Sequence, residues 1–277
     1  MIRIEKLGFS YGQVPVLKNI TMNLEPGKIY GLLGENGVGK TTLLTLLAGL
    51  KKPLQGNIDI DGSAPYSRTP QVLENQFYLA DEMLSVPMKA AEYARITGEF
   101  WPNYKQDTFE KIMELFENTS DKKMSEMSTG QLKKTYISLA LALGCKYLFL
   151  DEPTNGLDIP SKAQFRSALM KYTGEDSTIV ISTHQVRDLE NIIDPIIILD
   201  RQDVLLNASL EEISRKLYFD YGTQLHPESL YSEQLPGGFI QVYPNAEGAD
   251  SKVNIEALFN AVHHNKEFIK GLFAETL

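Results

Sequence analysis

The segment Gly34-Glu35-Asn36-Gly37-Val38-Gly39-Lys40-Thr41-Thr42 contains a full match to G-x-x-x-x-G-K-[ST]. Its chemistry is phosphate binding. Glycines let the backbone wrap an anion so that successive N–H groups point at its oxygens, and a helix starting there adds its positive dipole end. In that arrangement Lys40 reaches the β- and γ-phosphates of a nucleotide and the Thr41 hydroxyl can ligate Mg2+. A second candidate is Leu148-Phe149-Leu150-Asp151-Glu152, an apolar run ending in two carboxylates. At a strand end, Asp151 can hold Mg2+ through water, and Glu152 can polarise an attacking water. Many strands end in acids, so this pair gains meaning only beside the phosphate loop. The third is Met127-Ser128-Thr129-Gly130-Gln131. Alone it reads as a capped helix start, with Ser128 as N-cap.

The elements that must carry these groups follow from hydrophobic period. Ile2, Ile4 and Leu7–Phe9 alternate, as do Met22 and Leu24, and Pro26-Gly27 turns the chain into an apolar strand over 29–33 that feeds the phosphate loop. A helix is predicted from Thr41 to about Leu50, a hairpin strand over 56–62, and a helical pattern over about 88–117. Three helix–strand pairs are then expected. Helix 130–143 leads into strand 147–150, helix 161–172 into strand 178–181, and a third helix into strand 196–199. Such alternation means α/β architecture, with a parallel sheet covered on both faces. Past Arg201 the pattern changes. Ser209 and Glu212 form a capping box for a helix ending near Leu217, a strand is expected over 239–243, and Asn254 can cap a helix from Ile255. The expected division is a main domain over 1–205, with a helical part over about 85–145, and an appended α+β module over 206–277.

Composition narrows the function. Of 277 residues, 43% are hydrophobic and 23% charged, enough to bury a sizeable core. The net charge of -9 argues against a general nucleic-acid binder, so no stable nucleic-acid partner is expected. Cys145 is the only cysteine, which leaves no disulfide framework and reads as a small buried hydrophobe. The first residues alternate apolar and charged types without the apolar stretch of a leader peptide. The apolar run over 136–150 is broken by Lys146 and falls short of the ~18–20 residues a spanning helix needs. Any membrane connection is therefore expected through a partner.

Taken in order, the phosphate loop, Ser128-Thr-Gly-Gln, Asp151-Glu152, Asn155-Gly-Leu-Asp158 and a His184 after an apolar strand resemble the ATP-binding-cassette (ABC) ATPases over about residues 1–205. The resemblance implies the phosphate-loop NTPase fold in its ABC form: a mostly parallel core sheet, an N-terminal antiparallel β subdomain, a helical signature subdomain and here a small C-terminal extension. It implies ATP and Mg2+ as ligands. Residue by residue, Tyr11 matches the aromatic that stacks on adenine, and Gly34–Thr42 the phosphate loop. Ser128, Gly130 and Gln131 match the signature that meets the γ-phosphate held by the other subunit. Asp151 and Glu152 match the magnesium and water-activating pair, Asp158 the loop that communicates across the dimer, and His184 the switch histidine. His226, His263 and His264 match nothing and are expected in solvent.

Two departures stand out. Met127 and Thr129 replace the usual Leu and first Gly of the signature. Asp81, in Phe77-Tyr-Leu-Ala-Asp81-Glu82, stands where the family has Gln, and is counted as a further metal contact. That segment, Phe100-Trp101-Pro102-Asn103-Tyr104 and Asn207-Ala-Ser-Leu-Glu-Glu look like bacterial exporters with separate permeases, although the aromatic stretch also reads as core of the helical part. The implied function is the energising subunit of an ABC transporter, working as a homodimer or heterodimer of ATP-binding subunits. It would sit in the cytoplasm, against the inner face of the cell membrane through an integral-membrane permease. The alternative is a soluble cassette ATPase acting on ribosomes or nucleic acid, a class that usually has two cassettes or a coiled-coil insertion. An unrelated phosphate-loop GTPase or kinase would leave Ser128–Gln131 and His184 unexplained.

Overall fold

The computed structural model describes residues 1–274. Strands β1 (Ile2–Tyr11), β2 (Val14–Leu24) and β4 (Gln55–Ile60) make an antiparallel sheet in the order β2-β1-β4. The strand expected over 56–62 exists, but its partner is β1, with Ile2 opposite Ile60. The alternating residues Ile2, Ile4, Met22, Leu24, Ile58 and Ile60 form its buried face. They pack with α1 (Lys40–Leu47), the helix that follows the phosphate loop.

The main sheet has the order β5-β6-β7-β3-β8-β9, where β3 is Ile29–Leu33, β5 Gln76–Leu79, β6 Tyr147–Asp151, β7 Thr178–Thr183, β8 Ile196–Asp200 and β9 Asp203–Ala208. All neighbours pair in parallel except β8 and β9. The interior strands β6, β7 and β8 are buried along their whole length, as a parallel sheet covered on two faces requires. The one-turn α2 (Pro70–Leu73) precedes β5, α6 (Ile159–Tyr172) joins β6 to β7, and no helix links β7 to β8. There the third expected helix is absent: the segment holds a 3-10 turn at Val186–Asp188 and a further turn in which Ile192 and Ile193 donate to the Leu189 carbonyl. The backbone of 194–195 is already engaged in the sheet, since Asp194 donates to the Ile29 carbonyl at 2.8 Å and Gly31 donates to that of Pro195 at 3.0 Å. A helix running up to Pro195 is further opposed by its ring.

The helical pattern over 88–117 resolves into α3 (Ala90–Gly98) and α4 (Gln106–Leu115). Between them Pro102 supplies no N–H and the Tyr104 ring packs where a Cβ on Gly98 would sit, 2.2 Å from its nearest atom. Trp101 leaves the helices and donates from Nε1 to the Gln76 carbonyl at 3.1 Å, tying this layer to β5, while Phe100 is exposed. α5 (Thr129–Ala142) lies over α4 through Ile112, Met113 and Ile137.

Past β9, α7 (Leu210–Lys216) begins at the expected Ser209–Glu212 capping box. The chain then makes a second antiparallel sheet, β10 (Leu217–Gly222), β12 (Gly238–Pro244) and β11 (Tyr231–Leu235), backed by α8 (Ile255–His264) and α9 (Lys266–Leu272). Only β12 was legible from pattern. The inner residues of this part, among them Ile213, Phe219, Val242, Leu258 and Ile269, belong to the same contiguous core as Ile196 and Ile198. Ion pairs of Lys266 with Asp200 and Lys270 with Asp203 add polar ties to the β8–β9 turn. Contrary to expectation, His263 is not in solvent. Its side chain is 16% exposed and lies 3.9 Å from Asp200, and His226 stacks on Tyr243 at 4.0 Å.

Candidate functional site

Because β3, β5, β6 and β7 run parallel, their C-terminal ends open on one edge of the sheet, where ligands of open α/β sheets bind. The phosphate loop leaves β3, Asp81 follows β5, Asp151 ends β6 and His184 follows β7. Register keeps them level: Leu33 pairs with Thr183, and Asp151 with Ser182.

Two glycines let the loop close on its surroundings. Gly39, at φ 113, starts α1, and a Cβ there would also meet Val16 at 2.9 Å. Gly34 lies so flat on β8 that a Cβ would come 2.6 Å from the Leu199 carbonyl oxygen. Lys40 is 6% exposed, and its ammonium donates to the carbonyls of Gly34 at 2.8 Å and Glu35 at 3.1 Å. Burial pushes its pKa down, while Glu152 and Asp151 pull the other way. A cavity of about 420 Å3 opens here, lined by Tyr11, Gly37, Lys40, Thr41, Asp81 and Glu152 among others. Tyr11 stands half exposed at its edge, its hydroxyl 3.3 Å from that of Thr42.

Asp151 is buried and accepts on both oxygens. Thr41 donates at 2.6 Å and Tyr78 at 3.2 Å to one, and the Ser182 hydroxyl donates to the other. Burial and the Asp151 carboxylate push the Tyr78 phenol well above its usual range, so it stays a donor. A hydroxyl and a carboxylate in contact at the end of a phosphate loop suit Mg2+, which takes one or two protein ligands and fills the rest of its octahedron with water and phosphate.

Glu152 sits at φ 46, a left-handed conformation uncommon for a residue with a side chain and found preferentially at functional sites. One carboxylate oxygen lies 3.8 Å from Lys40 Nζ and the other 2.9 Å from His184 Nδ1. Glu152 is 13% exposed and His184 37% exposed, so the histidine is the solvent-side member. The structure thus brings Lys40, Thr41, Asp151, Glu152 and His184 into one constellation.

Other expected residues sit apart or do local work. Ser128 caps α5 in a reciprocal box with Gln131 and is exposed, as is Thr129. A Cβ on Gly130 would meet only the Gly156 carbonyl oxygen, at an ordinary 3.8 Å, so within one subunit nothing demands glycine there. Asp158 caps α6 by accepting from the Ser161 backbone at 3.0 Å, and its hydrogen bonds to Ser161 hold its pKa down. Asp81, expected near metal, is bound by Lys133 at 2.7 Å and by Asn155 at 3.3 and 3.4 Å. Tyr78, Ser182 and Lys133 carry no role in the sequence pattern, and Asn155 appears there only as the first residue of a motif. Ser182 had the clearest signal, a hydroxyl inside the apolar run of β7.

This edge is that of a nucleotide-binding α/β protein with a phosphate loop, and the comparisons agree. Residues 17–155, half of the chain, match the ABC transporter family. An uncharacterised ABC transporter ATP-binding protein of Methanocaldococcus jannaschii is 29% identical over 244 residues, covering 84% of this chain and 88% of that protein. The bacitracin transport ATP-binding protein BcrA of Enterococcus faecalis is 28% identical over 226 residues, covering 78% and 71%. Among solved structures, a dimeric cassette described as a post-hydrolysis state bound to ADP and Pi superposes with a TM-score of 0.67 at 21% identity, covering 76% of this chain and 99% of that one. The chain belongs to the ABC transporter ATP-binding family. It is an ATP-binding and ATP-hydrolysing transporter subunit, and among its described residues no helix is long and apolar enough to cross a membrane.

Proposed function

We propose that ATP is bound across the phosphate loop with Tyr11 against the base, and that Glu152 activates the attacking water. The observation that carries this reading is the contact of Glu152 with both Lys40 and His184 in a mostly buried setting. Lys40 neutralises the phosphates, and Thr41 and Asp151 would hold Mg2+, which would supply further positive charge against the phosphates. Glu152 accepts the proton of water as it approaches phosphorus. His184, hydrogen-bonded to Glu152, orients that carboxylate and reports γ-phosphate occupancy.

Two copies complete two sites. Ser128, Gly130 and Gln131 stand apart from the residues lining the cavity at their own phosphate loop, so in a two-fold pair each signature serves the partner's nucleotide, with Asp158 beside it. That a solved cassette of the same fold is described as dimeric supports pairing of two copies. A separate membrane permease receives the motion, and likeness to a bacitracin transport protein favours export. On this reading the subunit works in the cytoplasm, at the inner face of the membrane.

The test is Glu152→Gln. Removing a general base costs ~10²–10⁴-fold in rate, and the stalled protein should elute as a dimer with MgATP and as a monomer with ADP. Hydrolysis at the parent rate refutes the role of Glu152. A dimer indifferent to nucleotide refutes closure by ATP.

A further inference from the structure

Lys133 has no part in the constellation above, yet it is 4% exposed by its side chain and sits between three segments. It lies on the second turn of α5, just past the signature at that helix's N-terminus. Its ammonium donates to Asp81 Oδ1 at 2.7 Å and to the backbone carbonyl of Glu152 at 2.8 Å. The other side of the Glu152 residue is held as well, because its N–H donates to the Ser182 hydroxyl at 3.0 Å and to the Ser182 carbonyl at 3.2 Å. Glu152 needs holding. Its left-handed backbone persists only where the surroundings over-determine it.

We propose that Lys133 is a positioning residue for hydrolysis: its buried ammonium fastens the signature helix to the carbonyl of Glu152, and Asp81 is its counter-ion. The inference rests on the reading of Glu152 as the residue that activates water. With the N–H pinned to β7 and the carbonyl pinned to α5, the carboxylate is aimed at Lys40 and His184. A buried ammonium is stable only when paired and fully hydrogen-bonded, and Asp81 supplies the charge, with Asn155 donating to that same carboxylate. One consequence concerns the partner. Any shift of α5 when its signature meets the other subunit's nucleotide is passed directly to Glu152, so catalytic geometry depends on the signature as well as on the phosphate loop.

The decisive variants are Lys133→Met, which removes every donor, and Lys133→Gln, which keeps an amide NH2 as donor but not the charge. A misplacement near 1 Å costs about 10²-fold. Lys133→Met should lower kcat by about 10–100-fold while the dissociation constant for ATP, measured by calorimetry, stays within about twofold. Lys133→Gln should recover part of that loss. In a Glu152→Gln background, Lys133→Met should add little to the loss of single-turnover rate, because the residue it positions is already disabled. A parent-like kcat for Lys133→Met overturns the proposal, as does equal loss for the Gln and Met variants, or a full additional loss in the double variant. Should the Met variant fail to fold, the split between kcat and affinity in Lys133→Gln decides. An active Glu152→Gln single variant refutes the underlying reading instead, and the two failures are told apart by that control.

Discussion

Lys40→Met separates what the phosphate loop does for ligand from what it does for the fold. The substitution keeps an unbranched chain and deletes the charge. In the free protein two sets of effects oppose each other. The ammonium is buried, and burial lowers its pKa, so the charged form is a burden on the fold at neutral pH. The sign follows: with the folded pKa below that of free lysine, this burden is present at low and neutral pH and lifts as pH rises through the folded pKa towards the unfolded one. Against it stand the donations to the carbonyls of Gly34 and Glu35 and the attraction of Glu152. Hydrogen bonds from charged donors contribute roughly 1.5–3 kcal/mol each. Because the sets oppose, the free variant should lose less than the roughly 3–6 kcal/mol that its two charged hydrogen bonds would contribute alone. With ATP the balance changes. Ligand at 100 times its dissociation constant stabilises the parent by about 2.7 kcal/mol. At about 2–4 °C per kcal/mol that is roughly 5–11 °C in Tm. If the variant loses about 3 kcal/mol of phosphate binding, its dissociation constant rises on the order of 150-fold. At the same ATP its gain is then only about 0.3 kcal/mol, or about 1 °C. Thermal unfolding with and without MgATP measures both quantities. A variant that keeps the parent's ATP shift refutes the role of Lys40. One that unfolds far below the parent without ATP shows that Lys40 holds the loop itself.

Tyr11→Ala should raise the dissociation constants for ATP and GTP alike, since stacking of a base on an aromatic ring is tolerant of base identity and contributes about 1–3 kcal/mol; titration with both nucleotides checks it, and a loss for one base only would place Tyr11 in specific readout. Cys145 should ignore thiol reagents at pH 8 in the native protein, because burial pushes its thiol up to about 12. Mass spectrometry should find it modified only after denaturation, and rapid labelling of the native chain would contradict the buried strand entry at 145–147.

The fold was legible where period and punctuation agree. The apolar strands over 29–33, 147–151 and 178–183 are buried along most of their length and bounded by turn residues, and the sequence pattern marks each of them. The segment before Pro195 misled, because Leu189, Ile192 and Ile193 are spaced as a helix would space them while their backbone neighbours are taken up by β3. The C-terminal part misled for a different reason. β11 is exposed along most of its length, so no alternation marks it, and its place is set by pairing with β12. A weakly marked edge strand is specified by its neighbour and not by its own residues.

The site divides along the same physical line. Lys40, Thr41, Asp151 and Glu152 could be read because each is tied to a local feature: a glycine loop, a helix start or a strand end. Lys133, Tyr78 and Asn155 could not, because each acts across a gap in sequence that only the parallel sheet closes. Tyr78 reaches Asp151 through the pairing of β5 with β6, and Lys133 reaches Glu152 through the packing of α5 over that same strand end. Asp81 shows the limit best. From sequence it was an acid where the family has an amide, and an acid near a nucleotide site reads as a metal contact. In the fold, a lysine 52 positions away meets it first. A carboxylate answering a buried ammonium is bound to that partner before any metal arrives. The meaning of the change at 81 is therefore found at 133.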